Sequence, residues 1–193
     1  MDFFRNIKYS ILIDKVLIFC YQLKKSFKSL IVMNNSLKIL YSQKTIRRRV
    51  EKIAQQISSH YPSSELILVG ILKGSFIFLA DLVRALNVPV IIDFVRLASY
   101  GSSTHSSGKV QILKDLEISI EGKEVIIVED IIDTGLTINF LKEELSKRNP
   151  RSLKICALID KISRRKVEIE ADYVGIKMKK DYFLVGYGLD FSE

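Results

Sequence analysis

Two adjacent carboxylates, Glu129 and Asp130, follow the apolar start of the segment 125–137, which reads VIIVEDIIDTGLT. The apolar residues predict a buried strand, and we expect a helix to begin near Thr137. Ligands of open α/β sheets bind at the carboxyl ends of the strands. The acids can accept hydrogen bonds from sugar hydroxyls or hold a divalent cation, and the loop 131–135 offers backbone N–H groups to an anion. A sugar phosphate satisfies both halves of the segment.

The pattern around this segment predicts alternating strands and helices that would position it. Short apolar runs predict strands at 65–71, 90–97, 110–113, 124–128, 153–159, 173–178 and 182–185. Amphipathic spacing predicts helices from Ser42, at 76–86 and at 137–148. This order is typical of an α/β domain with a mainly parallel sheet. The segment 98–109 is rich in Ser and Gly, and we expect it to be a mobile loop.

The segment 125–137 resembles, at every position, the phosphoribosyl diphosphate (PRPP) motif of the type I phosphoribosyltransferases. The resemblance implies their fold, a mainly parallel twisted sheet flanked by helices with a small hood subdomain. It implies that Glu129 and Asp130 bind the ribose hydroxyls of PRPP, and that Asp133 is catalytic and accepts or holds the proton at purine N7. The residues implied to cradle the 5′-phosphate are Thr134, Gly135 and Thr137.

Further segments resemble the hypoxanthine-guanine branch of this family, in its bacterial form. They are the loop 72–75 (LKGS), the segments 99–101 (SYG) and 159–165 (IDKISRR), and the segment 183–190 (FLVGYGLD). The resemblance implies a non-proline cis peptide in the loop 72–75. The site residues that it implies are Lys73, Gly74, Ser99 and Tyr100 for pyrophosphate, Lys161, Phe183 and Leu184 for the purine, and Asp190 with Glu129 and Asp130 for a metal ion.

The resemblance implies a Mg²⁺-dependent enzyme of purine salvage. It would transfer the 5-phosphoribosyl group of PRPP to hypoxanthine or guanine, giving IMP or GMP and pyrophosphate. Mg²⁺ and a lysine would neutralise the charged leaving group, and the segment 98–109 would close as a lid that excludes water. An ammonium group donates hydrogen bonds and accepts none, so Lys161 would favour 6-oxopurines over adenine. The family resemblance also implies a homodimer or homotetramer.

Composition narrows the classes of protein that fit. The chain of 193 residues is 48% hydrophobic, which is enough for the core of one domain. It contains no run of about 18 apolar residues, so we expect no stable membrane insertion. Half of the net charge of +8 lies in residues 1–32, so the remainder is only mildly basic and no nucleic acid partner is expected. Two widely spaced cysteines, Cys20 and Cys156, are typical of a reducing compartment such as the cytoplasm.

The two ends of the chain depart from the family pattern. Residues 1–32 lack Gly and Pro and are predicted to be an extension that is non-native, disordered or helical, with an interfacial amphipathic helix as one alternative. The phosphoribosyltransferase domain is predicted at 33–193. Family members usually continue past the segment around Asp190 with an aromatic residue and an arginine that reaches pyrophosphate. The predicted domain is therefore short at its C-terminus, which would weaken its activity.

Other functions stay open on the sequence alone. A regulator on the same fold would bind PRPP or a nucleotide and contact nucleic acid through the basic residues 47–49, although a solvated helix face explains these residues equally well. An inactive truncated homologue is a second alternative, and a preference for xanthine or guanine alone is a third. Single residues also have plainer roles, because Lys161 fits a solvated charge and Phe183 fits a core position.

Overall fold

The computed structural model describes residues 18–21, 38–62, 64–100 and 109–189. In chain order, these residues form β1 (Ile18–Tyr21), β2 (Lys38–Tyr41), α1 (Gln43–His60), β3 (Leu66–Leu72), α2 (Phe76–Ala85), β4 (Val90–Tyr100), β5 (Lys109–Lys114), β6 (Glu124–Ile132), α3 (Leu136–Ser146), β7 (Ser152–Lys161), a 3-10 turn (Ile162–Arg164), β8 (Tyr173–Met178) and β9 (Phe183–Val185).

The main sheet has six strands in the order β5-β4-β3-β6-β7-β8. All neighbouring strands in it are parallel except β4 and β5. The central strands β3 and β6 are nearly continuous apolar runs because a parallel sheet is covered on both faces. The predicted α/β class with a mainly parallel sheet is confirmed.

Helices cover both faces of this sheet. Alternate residues of a strand point to opposite faces, so Leu68 of β3 packs in a core with α1 and α2, whereas Val69 packs in a second core with α3. The carboxyl ends of β3, β6 and β7 consequently lie side by side at one edge, between the two layers of helices. The predicted site residues at the ends of β3, β6 and β7 and in the loops that follow lie at this edge.

Four strands, β4 to β7, are longer than the sequence pattern predicts, and the differences at β4 and β6 concern the predicted site. We predicted that β6 would end at residue 128, but it continues to Ile132 because Ile131 and Ile132 still pair with β7. The prediction of a loop over 98–109 is wrong at both ends, since β4 continues through Tyr100 and pairs there with Lys109 of β5. Residues 101–108 lie outside the described residues.

A small antiparallel sheet has the order β2-β1-β9. Its middle strand, β1, comes from the predicted N-terminal extension, and Cys20 in β1 is opposite both Lys38 of β2 and Leu184 of β9. These four residues of the extension are therefore strand rather than the helix considered above. Whether the extension is native stays a prediction. Among the described residues, no helix is both long and apolar enough to span a membrane.

Candidate active site

Glu129 and Asp130 lie near the carboxyl end of β6, inside the strand. Asp130 is 6% exposed, and its Oδ1 accepts a hydrogen bond of 2.8 Å from the backbone N–H of Ile131. The Oε2 atom of Glu129 is buried and has no hydrogen-bond partner among the described residues. Burial, together with the charge of Asp130, raises the pKa of Glu129 well above its usual range. The Oε2 atom of Glu129, with Asp130 beside it, can therefore bind a hydroxyl donor or a cation.

The loop after β3 lies directly against Asp130. A Cβ atom at Gly74 would overlap the Asp130 carboxylate, so only glycine permits this close approach. A Cβ atom at Gly188 would lie 2.8 Å from the carbonyl oxygen of Gly74, so these two segments also approach closely. The peptide bond between Leu72 and Lys73 is cis, as the resemblance implied. The predicted pyrophosphate loop, the acidic pair and the segment after β9 thus meet at one place.

The loop between β6 and α3 has the form of an anion cradle. Gly135 adopts φ 84° immediately before α3 begins at Leu136, a conformation that favours glycine. The Thr134 carbonyl accepts a hydrogen bond of 2.9 Å from the backbone N–H of Lys166, which holds the loop from outside. Thr137 lies in the first turn of α3, where backbone N–H groups have no partner within the helix. The N-terminus of α3 therefore offers donors and a favourable dipole to a phosphate.

Asp133 begins this loop directly after β6. Its Oδ2 lies 3.4 Å from Nη1 of Arg164, and its Oδ1 is buried with no hydrogen-bond partner among the described residues. The carboxylate is thus held on one side by a cation.

Lys161 ends β7 and is only 4% exposed, so the plainer role of a solvated charge does not hold. Its Nζ lies 3.4 Å from Oδ1 of Asp181, a partner that partly compensates the cost of burying the ammonium. Phe183 is 38% exposed, which rules out a core position, and the next residue, Leu184, is buried. Asp181, the partner of Lys161, lies two residues before Phe183, and an exposed aromatic ring close to a buried cation can bind a flat polar ring.

The comparisons with known proteins agree with this geometry. Residues 36–192 match the model of the phosphoribosyl transferase domain. The chain belongs to the phosphoribosyltransferase family. The hypoxanthine-guanine phosphoribosyltransferase of Aquifex aeolicus is 48% identical over 163 residues, which are 84% of this chain and 91% of that protein. The predicted resemblance to this family and to its hypoxanthine-guanine branch is confirmed.

Two solved structures from Trypanosoma cruzi are also similar to this phosphoribosyltransferase. One is hypoxanthine phosphoribosyltransferase in complex with the product IMP, with a TM-score of 0.72, 38% identity, and coverage of 92% of this chain and 87% of that one. The other concerns the role of the C-terminal region in oligomeric state and enzymatic activity, with a TM-score of 0.74, 44% identity, and coverage of 80% and 84%.

Some predicted site residues of this phosphoribosyltransferase are described only in part. Asp190 lies outside the described residues, and Ser99 and Tyr100 are described as backbone of β4 without their side chains. Among the described residues, no group of three or more His, Cys, Asp or Glu is arranged to hold a metal. The buried, unpartnered oxygen of Glu129 beside Asp130 nevertheless fits Mg²⁺, which prefers oxygen ligands and keeps several from water and substrate.

Sequence reasoning missed the residues that hold the site residues in place. Asp181 and Arg164 contact Lys161 and Asp133 respectively, and Arg165 pairs with Asp160. The two arginines stand immediately after the strand that ends in Lys161, and charges at the carboxyl end of a parallel strand were the available signal. No local signal indicated the role of Asp181, because this residue lies on the connection between β8 and β9.

Proposed function

We propose that the chain catalyses the transfer of the 5-phosphoribosyl group from PRPP to hypoxanthine or guanine. The observation that supports this most directly is one edge of the sheet where an acidic pair, an anion cradle and a buried lysine lie on the adjacent strands β6 and β7. The similarity to hypoxanthine phosphoribosyltransferases favours an enzyme over a regulator that only binds PRPP or nucleotides, and over an inactive homologue.

Each part of PRPP has a matching group in this arrangement. Glu129 and Asp130 accept hydrogen bonds from the ribose hydroxyls, and Thr134, Gly135 and Thr137 bind the 5′-phosphate at the start of α3. Lys73 and Gly74, in the loop that touches Asp130, lie on the pyrophosphate side, with Ser99 and Tyr100 completing it.

Asp133 handles the proton of the purine. The N9 lone pair forms the bond to C1 of the ribose, and the C1–O bond breaks with its electron pair leaving on pyrophosphate. The N7–H bond breaks at the same time, and its proton passes to the Asp133 carboxylate, so charge does not build up on the purine. Asp133 directly follows the strand that holds the proposed ribose-binding acids, which supports a position close to the reacting atoms.

Lys161 selects the class of base. The buried ammonium donates to the exocyclic O6 of hypoxanthine or guanine, whereas adenine presents an amino group that is itself a donor. Phe183 stacks on the purine, and the Leu184 backbone lies along its edge. The residues that would hold Mg²⁺ are Glu129, Asp130 and Asp190, and the bound ion would neutralise the charge of the diphosphate leaving group.

Two further inferences concern the setting of the reaction. We infer a homodimer or homotetramer, in keeping with the attention given to oligomeric state in a structurally similar hypoxanthine phosphoribosyl transferase. We infer a cytoplasmic location, because the chain uses a highly charged substrate and its Cys156 is a free, buried thiol.

Steady-state assays with PRPP and Mg²⁺ test the proposal, with hypoxanthine, guanine, xanthine and adenine offered separately. We expect nucleotide formation from hypoxanthine and guanine and little from adenine. Lys161→Gln should lower kcat/KM for hypoxanthine about 10- to 100-fold, the usual worth of a hydrogen bond to a charged group, and should narrow the preference over adenine. The matched control is Lys147→Gln, which changes an exposed lysine at the C-terminal end of α3, opposite the loop after β6. This variant should leave the rates unchanged.

No turnover with any of the four bases by the wild-type chain would overturn the proposed activity. Turnover with an unchanged base preference in Lys161→Gln would overturn only the role given to Lys161.

A further inference from the structure

A series of alternating charges joins Asp133 and Lys161, the two residues that we assign to the neighbouring N7 and O6 atoms on one edge of the purine. Arg164, at the end of the 3-10 turn, places Nη1 at 3.4 Å from Oδ2 of Asp133 and at 3.8 Å from Oδ1 of Asp181. The same Asp181 oxygen lies 3.4 Å from Nζ of Lys161. We call this series Asp133–Arg164–Asp181–Lys161 the ion-pair relay.

Arg164 is the one described cation within ion-pair distance of Asp133. The other carboxylate oxygen of Asp133, Oδ1, is buried and has no hydrogen-bond partner among the described residues. The terminal torsion of an aspartate is broad and roughly two-fold, so an isolated carboxylate adopts a range of orientations. The Coulomb attraction of the guanidinium favours the part of this range that keeps Oδ2 close to Nη1. The ion pair therefore favours orientations of Asp133 in which Oδ2 stays near Arg164.

The 3-10 turn also fixes Arg164 relative to the phosphate loop. Two residues after Arg164, the backbone N–H of Lys166 donates to the Thr134 carbonyl at 2.9 Å, next to Asp133 in the chain. On the other side, Lys161 directly precedes the turn and is held in β7. The turn at the end of β7 is thus linked to the loop after β6 by the Arg164–Asp133 ion pair and by the hydrogen bond from Lys166 to Thr134.

We propose that Arg164 is the positioning residue for the Asp133 carboxylate. Its guanidinium holds Oδ2 in the orientation that receives the N7 proton, and Asp181 fixes that guanidinium relative to Lys161. The purine is then recognised at O6 and deprotonated at N7 by groups whose spacing is set by the ion-pair relay. This inference rests on the proposed role of Asp133.

A double-mutant cycle tests the inference, using the full chain with PRPP, Mg²⁺ and hypoxanthine in single-turnover and steady-state assays. Arg164→Gln should lower kcat about ten-fold and leave the KM of PRPP within about two-fold, because the ribose-phosphate contacts are unchanged. In an Asp133→Asn background, Arg164→Gln should have no further effect, since the group that it positions is gone. Arg164→Lys, which keeps a cation, should recover part of the rate. Arg47→Gln, at an exposed arginine of α1 paired with Glu51, is the matched control and should behave as wild type.

Two results would overturn the proposal: wild-type kcat in Arg164→Gln, or effects of the two substitutions that multiply independently. A wild-type rate in Asp133→Asn alone would instead refute the role of Asp133. Urea unfolding of the wild type, the two single variants Arg164→Gln and Asp133→Asn, and the double variant gives a readout that needs no activity. A real contact between the two residues makes the shifts in the unfolding midpoint non-additive. Additive midpoint shifts would overturn the proposal even if no base were turned over.

Discussion

Glu129 is the residue whose surroundings favour substrate binding over stability. The burial of its Oε2 atom and the charge of Asp130 both oppose ionisation, so the pKa of Glu129 lies well above its usual range. Sugar hydroxyls or a cation would supply the partner that the Oε2 atom of Glu129 lacks among the described residues. The desolvation and charge repulsion at this acid are thus a cost to the fold that ligand binding offsets.

This cost predicts a pH dependence of stability. In the unfolded chain Glu129 loses its proton at the ordinary glutamate pKa, whereas in the native state its pKa is raised and it keeps the proton to a higher pH. Between these two pKa values the native state binds more protons, so the free energy of unfolding falls as pH rises. Glu129→Gln removes this titration. The variant should be more stable than wild type at about pH 8, and the difference should shrink toward about pH 4.

Urea unfolding without substrate at several pH values measures this effect. Glu121→Gln, in the exposed turn before β6, is the control and should give no pH-dependent gain. An equal gain for Glu129→Gln at both ends of the pH range would show that its burial, and not its ionisation, is responsible.

At this scale the sequence predicts which residues form the site but not how they are held. The segment 125–137 identified the acidic pair, Asp133 and the phosphate loop because all of them lie on one continuous stretch of chain. The burial of Lys161 was not predictable, since it depends on Asp181, which lies 20 residues further along. The contact of Arg164 with Asp133 likewise joins two different loops, and no local pattern encodes such a contact.

At the scale of elements, β1 has a position that its sequence did not indicate. It lies between β2 and β9 and so pairs along both edges, and it precedes the region 36–192 that matches the family model. Its residue Tyr21 is opposite Phe183, the residue that we assign to the purine. The strand therefore supports β9 on the base side and is distant in sequence from the PRPP motif.

We predict that breaking β1 weakens purine binding selectively. Proline has no N–H, so Cys20→Pro removes a hydrogen-bond donor from the middle strand of the small sheet. The KM for hypoxanthine should rise about five-fold or more, in line with the loss of about 1 kcal/mol of binding free energy, while the KM of PRPP stays near that of wild type. Cys20→Val, which suits a strand, is the matched control. Equal kinetics of the two variants would show that β1 does not position β9.

The strands of the main sheet were predictable, but their ends were not. Apolar runs separated by Gly, Pro and charged turns gave the correct order of strands and helices. The extension of β6 to Ile132 depends on pairing with β7, where Ile132 is opposite Asp160. A polar residue inside a strand is read from the sequence as the start of a loop, so Glu129 and Asp130 concealed the true end of β6.

At the scale of the whole molecule, the proposed PRPP site is assembled from several elements at one edge of the main sheet. The loop after β3 lies against Asp130, the segment after β9 lies against that loop, and the end of β7 pairs with the end of β6. Binding of PRPP should therefore stabilise the entire fold, because a ligand that binds only the native state lowers its free energy by mass action.

The size of this stabilisation can be predicted. PRPP with Mg²⁺ at 100 times its Kd should add about 2.7 kcal/mol to the free energy of unfolding. For a chain of this length, about 2–4 °C per kcal/mol is expected, so the Tm should rise by about 5–11 °C. Asp130→Asn keeps an oxygen for the backbone N–H of Ile131 but removes a charge from the acidic pair, so it should abolish most of the rise. Asp115→Asn, which changes an exposed aspartate paired with Arg148, should retain it. Thermal melts with and without PRPP measure these shifts, and an undiminished rise in Asp130→Asn would place PRPP away from the carboxyl end of β6.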